Sequence, residues 1–319
     1  MGLDIRIGKI KLKNPVMVAS GTFGYAKEVE GLIDLRKLGA IVTKTITLKK
    51  RPGNIMPRIC ETASGMLNSI GLQNEGIEDF IEEKLPYLSK IGVPLIVSIS
   101  GETIKEFCEL SKILDNEKAV KGIELNISCP NIKVSAFAKA SADRRRSQFT
   151  VHSLIAQDKS ATYEVVRGVR RTTDKTLITK LSPNVTDIVE IAQAACKGGS
   201  DAISLVNTFF GMAIDIHTKM PRLGNIIGGL SGPCIKPLAL KMVWEVAKAI
   251  EKPVIGMGGI MDGDDAIEFM IAGAKAVQIG TANFVEPGIC EKIIKGIEEY
   301  LKKNKIKDIG KILGNLQSK

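Results

Sequence analysis

No apolar run in the chain approaches the roughly 18 residues that a membrane-spanning helix needs. Its opening, MGLDIRIGKIKLKNP, puts charge where a secretion signal carries its apolar stretch. Arg6 also spoils a myristoylation signal, so no membrane association is expected and the expected compartment is the cytoplasm. Aromatic residues make up only 4% of the chain, which leaves few side chains to stack on nucleic-acid bases, and no nucleic-acid partner is expected. Histidine is down to His152 and His217, and the cysteines, Cys60, Cys108, Cys129, Cys196, Cys234 and Cys290, stand far apart without a C-x-x-C pair. A zinc or iron–sulfur site on this chain is therefore not expected. No G-x-G-x-x-G follows the first strand-like run, which removes the main sign of an open dinucleotide-binding sheet. Neither an internal repeat nor a Pro, Gly or Ser-rich linker divides the chain.

What is present is a composition able to bury a large core. The 319 residues are 44% hydrophobic and 25% charged, with a mean hydropathy of +0.09. That excludes a small stapled module and wholesale disorder. A net charge of +10 comes mainly from lysine, much of it within 292–319, where Glu298, Glu299 and Asp308 interrupt the positive run. This reads as the solvated face of a terminal helix.

Short β-branched runs alternate with longer stretches of helical spacing. Strands are expected at 16–19, 40–44, 94–99, 122–127, 177–181, 202–206, 253–257 and 276–279. Helices are expected near 26–38, 103–115, 160–173, 186–198, 235–251, 262–272 and 286–302, with 78–91 as an accessory or barrel helix. The strands are continuously apolar, as in a parallel sheet covered on both faces. Eight such units at this length favour an α/β fold of the (β/α)8 TIM barrel type, a single domain over residues 1–319 with insertions after the second, fourth and sixth strands.

The active site of such a barrel lies at the carboxyl ends of its strands. There the chain is polar and small: Ser20-Gly21-Thr22, Lys44-Thr45, Ser98 with Gly101, Asn126 with Ser128-Cys129-Pro130-Asn131, Lys180 with Ser182-Pro183-Asn184, Asn207-Thr208, Gly256-Met257-Gly258-Gly259 and Gly280-Thr281. Taken singly, the glycines at 21, 258, 259 and 280 are turn residues supplying positive φ, and Cys129 is a small buried hydrophobe. Lys44 and Lys180 resist so plain a reading, because each ends an apolar strand where an unpaired ammonium is costly to bury. An anionic partner explains both. Glycines at the last two exits suit close backbone approach to a phosphate. The absence of a carboxylate base at a strand end argues against simple aldol or isomerase chemistry and favours a cofactor that carries a redox step, with flavin mononucleotide (FMN) the best fit.

The stretches ASGTFG (19–24), KT (44–45), NSIGLQN (68–74), ELNISCPN (124–131), KLSPNV (180–185), LVNTFFGMAIDI (205–216), GGLSGPCIKP (228–237), GMGGI (256–260) and QIGTANF (278–284) resemble dihydroorotate dehydrogenase in family order over nearly the whole chain. NISCPN, GMAIDI and GGLSGP together resemble the NAD-linked class 1B catalytic subunit, and cysteine in the SCPN loop argues against the membrane-associated class. The resemblance implies FMN held through Ser20, Lys44, Thr45, Asn126, Lys180, Val206, Gly232, Gly258, Gly259, Gly280 and Thr281, with Ser98 standing where asparagine is usual and making a weaker contact. It implies dihydroorotate held by Lys44, Asn68, Ser69, Ile70, Gly71, Leu72, Asn126, Asn207 and Thr208. Cys129 would be the general base that takes the C5 proton while hydride leaves C6 for the flavin, a task suited to a thiolate near lysines. It implies oxidation of (S)-dihydroorotate to orotate for pyrimidine (UMP) synthesis. The implied partners are a second copy, as a homodimer, and an electron-transfer subunit carrying FAD and an iron–sulfur cluster, in a heterotetramer that reduces NAD. A fumarate-linked class 1A enzyme is the alternative.

One stretch departs from the family pattern. Between CPN and Asp158 runs IKVSAFAKASADRRRSQFTVHSLIAQ, longer than usual by roughly fifteen residues, an excess that loop-closure entropy penalises by only about 1 kcal/mol or less. Residues 134–155 read as an atypical insertion in the loop that carries Cys129, with Arg144, Arg145 and Arg146 as solvated charges. A flavin-binding subunit disabled by this insertion is the second alternative.

Overall fold

The computed structural model describes residues 2–128 and 155–317. All eight expected strands are present, with ends within two residues of expectation: β1 (Val16–Val18), β2 (Ala40–Val42), β3 (Leu95–Ile99), β4 (Val120–Asn126), β5 (Thr176–Lys180), β6 (Ala202–Leu205), β7 (Val254–Gly256) and β8 (Ala274–Ile279). Every residue of β3 and of β5 is buried, as a strand must be when side chains fill the barrel on one face and helices cover the other. Parallel pairing runs in chain order around the ring, and β8 closes on β1 through Val277 opposite Val16. The fold is a closed (β/α)8 barrel.

Among the described residues six helices of nine residues or more surround it: α1 (Ile104–Asp115), α2 (Lys159–Arg170), α3 (Ile188–Gly198), α4 (Lys236–Ala249), α5 (Gly263–Ile271) and α6 (Ile289–Lys303). The side chains of Thr103, Asp158, Asp187 and Asp262 cap α1, α2, α3 and α5 by accepting from backbone N–H groups of the first turn. The helix expected at 26–38 is instead two separate 3-10 turns, Lys27–Val29 and Leu35–Lys37. Gly31, at φ 82°, breaks the path between them, and Asp34 starts the second turn by accepting from the Arg36 N–H. The accessory helix runs from Ile77 to Leu88, widened to a π-turn at Phe80–Lys84 just before Pro86, which has no N–H to donate.

The two ends of the barrel are closed differently. At the amino-terminal end the hairpin Ile5–Ile7 and Ile10–Leu12 forms a plug, with the Lys9 N–H donating to Thr176 Oγ1 at 3.0 Å and Ile10 lying over Gly122. At the carboxyl end the segments after β2 and β6 pair as an antiparallel sheet in the order Phe209–Gly211, Gly228–Ser231, Gly65–Asn68, Ile59–Thr62. These are two of the three insertions expected from the sequence. The third, after β4, lies outside the described residues, as do Cys129, the three arginines and His152. Its flanks meet: the Ala156 N–H donates to the Ile127 carbonyl at 3.2 Å. Ile155, assigned above to the edge of the insertion, is buried in the main core together with Ala156.

Candidate active site

The residues at the strand exits converge on one cavity of about 270 Å³ beneath the antiparallel sheet. Its lining includes Ser20, Lys44, Thr45, Asn126, Lys180, Val206, Gly232, Gly258, Gly259, Gly280 and Thr281, and on the sheet side Asn68, Ser69, Ile70, Gly71, Leu72, Asn207 and Thr208. Every described residue expected at the site is there except Ser98. That side chain is fully buried behind the wall, within 3.0 Å of Thr45 Oγ1, so it supports a lining residue instead of forming the lining. Ser98 is the fourth of the five buried residues of β3, and the buried run continues beyond it through Ile99 and Ser100.

A continuous set of hydrogen bonds orients the polar lining. Thr45 Oγ1 lies 3.1 Å from Ser20 Oγ and accepts from Asn126 Nδ2 at 3.1 Å. Asn126 Oδ1 accepts from Ser128 Oγ at 3.1 Å, and Ser128 Oγ in turn accepts from Asn207 Nδ2 at 2.6 Å. Exits of β1, β2, β4 and β6 are thereby tied together, and both asparagine amides are held in one orientation. Ser128 and Asn184 carry much of this order without having been assigned a role from the sequence. Asn184 donates to the Thr208 carbonyl and accepts from the Phe210 N–H, fixing the start of the sheet strand that follows β6. Both stand at strand exits and within the motifs ELNISCPN and KLSPNV, which were the available signals.

Two ammonium groups face this cavity. Lys180, only 5% exposed, has its affinity for the proton lowered by burial, an effect the Glu124 carboxyl opposes. Lys44 is shifted the same way, first by burial, with Glu28 and Glu75 opposing and Arg58 adding to the shift. An anion entering the cavity would relieve both.

The opposite wall is backbone. Gly232, Gly258 and Gly259 hold φ values of 104°, 126° and 77°, and a Cβ on Gly259 would stand 2.8 Å from the Lys236 nitrogen and 2.9 Å from the Gly232 carbonyl oxygen. These positions accept glycine alone. Gly280 is different: it is not in the left-handed region, and a Cβ there would meet nothing closer than 3.7 Å. Its expected turn role is therefore replaced by a spatial one, since a methyl group would project into the cavity. Thr281 donates to Ser231 Oγ at 2.8 Å, joining the last strand exit to the sheet. Such a cradle of close backbone, flanked by lysines and amides, fits a phosphorylated heteroaromatic cofactor.

The sheet side has its own scaffold. The Asn54 N–H donates to the Ile70 carbonyl at 3.1 Å, Asn54 Nδ2 to the Ser69 carbonyl at 3.0 Å, and the Ser69 N–H to the Arg58 carbonyl at 2.8 Å. Gly71 and Leu72 take φ values of 75° and 55°, turning the loop 68–72 over the cavity. Ser69 Oγ is buried with no partner among the described residues.

Among the described residues no cluster of histidine, cysteine, aspartate or glutamate could hold a metal, and Cys60, Cys108, Cys196, Cys234 and Cys290 are all unpaired thiols. No helix among them is long and apolar enough to cross a membrane.

A parallel β/α barrel with a glycine cradle, paired lysines and oriented amides at its mouth is the framework of a cofactor-dependent barrel enzyme. The family model for dihydroorotate dehydrogenase matches residues 2–301, and the chain belongs to that family, whose enzymes are flavin-dependent. It is similar to proteins described as dihydroorotate dehydrogenase B (NAD(+)), catalytic subunit. One from Geotalea daltonii is 52% identical over 315 residues, 99% of this chain and 98% of the relative. Others are from Geobacter metallireducens, 51% identical over 99% of this chain and 98% of the relative, and from a Thermoanaerobacter species, 50% identical over 99% of both.

Proposed function

We propose that this chain oxidises dihydroorotate to orotate in pyrimidine biosynthesis, with FMN at the barrel mouth and NAD as final acceptor through a separate subunit. The observation that carries this reading is the convergence in one cavity of Lys180, the Gly232–Gly258–Gly259 cradle and the Asn126–Ser128–Asn207 relay. Relatives named for NAD(+) do not favour the fumarate-linked alternative.

FMN would be held by the residues assigned above, with Gly280 and Thr281 beside the cradle, and would supply the acceptor for hydride from substrate C6. Lys180 offers a positive charge at the cavity floor, where charge developing on a bound group is best offset. Lys44 would face the substrate carboxylate. The amides of Asn68, Asn126 and Asn207, with Ser69 and Thr208, would hold the substrate ring, while Ile70, Gly71 and Leu72 cover it and keep out water. Cys129, from the loop beyond Ser128, would take the C5 proton, so that the C5=C6 double bond forms as proton and hydride leave.

The same reading places FAD and an iron–sulfur cluster on the partner subunit and the assembly in the cytoplasm. It makes residues 1–319 one domain with a tolerated insertion in the Cys129 loop. A homodimer would cover the apolar side chains left in solvent by the segment that joins two strands of the mouth sheet, Gly211 to Gly228, among them Met212 at 51% and Ile216 at 78% exposure.

The purified chain should be yellow, release FMN on denaturation, and reduce dyes but not NAD when given dihydroorotate. Cys129→Ala should slow flavin reduction about 100-fold or more with the flavin spectrum kept, and Cys234→Ala should not. A colourless chain that FMN does not stabilise would overturn the reading, rapid turnover with fumarate would favour the class 1A alternative, and equal activity in Cys129→Ala would remove the thiol from the chemistry.

A further inference from the structure

Below the site, inside the barrel, lies a carboxyl group that the proposed chemistry does not use. Glu124 stands two residues before Asn126 on β4, between the amino-terminal plug and the cavity floor, and is completely buried. Its Oε2 accepts from Ser204 Oγ of β6 at 3.0 Å and from Gln278 Nε2 of β8 at 2.8 Å. Its Oε1, and Gln278 Oε1 beside it, have no partner among the described residues.

A purely structural tie between β4, β6 and β8 does not explain this choice of residue. Glutamine at 124 could accept from Ser204 and donate to the unpartnered Gln278 oxygen, satisfying what glutamate leaves open. What glutamate has and glutamine lacks is charge, and a buried charge is retained at a cost unless a counter-charge faces it. The candidate counter-charge is Lys180. It lies on β5, between β4 and β6, with Asn126 and Ser204 as its lateral neighbours. Both neighbours are neutral, and Glu124, two residues before Asn126 on the adjacent strand, is a carboxyl that opposes the effect of burial on the ammonium. Ser204 is thus at once the lateral neighbour of Lys180 and the donor that fixes the Glu124 carboxyl.

We propose that Glu124 is a positioning residue of the flavin site: its carboxylate, held by Ser204 and Gln278 below Lys180, supports the positive charge of the cavity floor and so strengthens the site's preference for reduced over oxidised flavin. This rests on the FMN reading above. Without Glu124 nothing opposes the burial that weakens the lysine's hold on its proton, and the positive charge that favours the reduced, more negative flavin is diminished.

The test is a redox titration of the FMN-loaded chain, without substrate or partner. Glu124→Gln should retain FMN and lower the ratio of reduced to oxidised flavin affinity about tenfold, a fall of about 30 mV for a two-electron couple. Made in a Lys180→Met background, the same substitution should cause no such fall, because its effect runs through the lysine. Ser204→Ala, which leaves the carboxylate with one donor, should give a smaller fall of the same sign and serves if Glu124→Gln does not fold. A rise in potential would overturn the proposal by showing only the direct field of the carboxylate, and equal falls with and without Lys180 would overturn it by showing that the effect does not run through the lysine. Failure of the unsubstituted chain to bind FMN would instead refute the parent reading, and bound FMN with an unchanged potential would refute this inference alone.

Discussion

On the β7 side of the barrel mouth the lining is backbone in conformations closed to other residues: Gly258 and Gly259, braced against the start of α4, and Gly232, which lies just ahead of α4 against Gly65. On the β2–β6 side it is side chains: Asn68, on an antiparallel strand that stands outside the barrel, and Asn207 and Thr208, at the β6 exit that leads into the same sheet. The first wall is fixed by steric exclusion and by the rigid ring beneath it. The second is fixed by hydrogen bonds between loops, such as those from Asn54 to the Ser69 and Ile70 carbonyls. A cofactor that stays bound suits the first kind of wall, and a substrate that enters and leaves suits the second, because loops open at a lower free-energy cost than barrel strands.

Substitutions that treat the two walls alike would break this contrast. The largest effect is expected at Gly259→Ala, where backbone atoms on both sides leave the methyl group no space. It should destabilise the chain by roughly 1–3 kcal/mol, read by denaturant melts, and abolish FMN retention. Gly280→Ala sharpens the point, because its methyl has room in the fold but not in the cradle. Melting of the flavin-free chain should be unchanged while FMN affinity falls about tenfold, the scale of one spoiled contact. Across the mouth, Asn68→Ala should raise the KM for dihydroorotate about tenfold and leave the FMN affinity alone. Loss of flavin in that variant would show that the two walls are one unit.

Smaller effects come from the supports. Lys236, whose backbone meets Gly259, is paired with Asp265 and Glu268, and this hydrogen-bonded pairing raises the pKa of its ammonium. A raised folded value means stability that is fully present below the ordinary lysine value of 10.5 and lost as pH rises through the higher folded one. Lys236→Met should therefore cost about 0.5–1 kcal/mol at neutral pH, and the difference from the unsubstituted chain should shrink in melts above pH 10.5. The smallest effect is expected from excising 134–154 and closing the gap with a short glycine-containing loop, while keeping the buried Ile155 and Ala156. Flavin content and turnover should be kept. Loss of flavin on excision would make the insertion part of the fold.

Period and composition alone determined the eight strands, most of the helices and the set of exits that meet at the mouth, because a barrel buries each strand on both faces and puts its chemistry where strands end. The same rules failed where a local signal met a stronger neighbour. The apolar spacing of 26–38 suggested a helix, but Gly31 takes a left-handed turn within it. Ser98 stood at a strand exit in sequence, yet the register of β3 puts it behind Thr45. Gly280 shared its residue type with the cradle glycines, while only its surroundings show that it makes space instead of a turn. Glu124 lay unremarked inside a quoted motif, because the partners that give it meaning, Ser204 and Gln278, are 80 and 154 residues away in the chain. Spacing along the chain records which face of a strand a residue occupies. Which charges and hydrogen-bonding groups share the barrel interior depends on the closure of the ring, and so was decided by the tertiary structure.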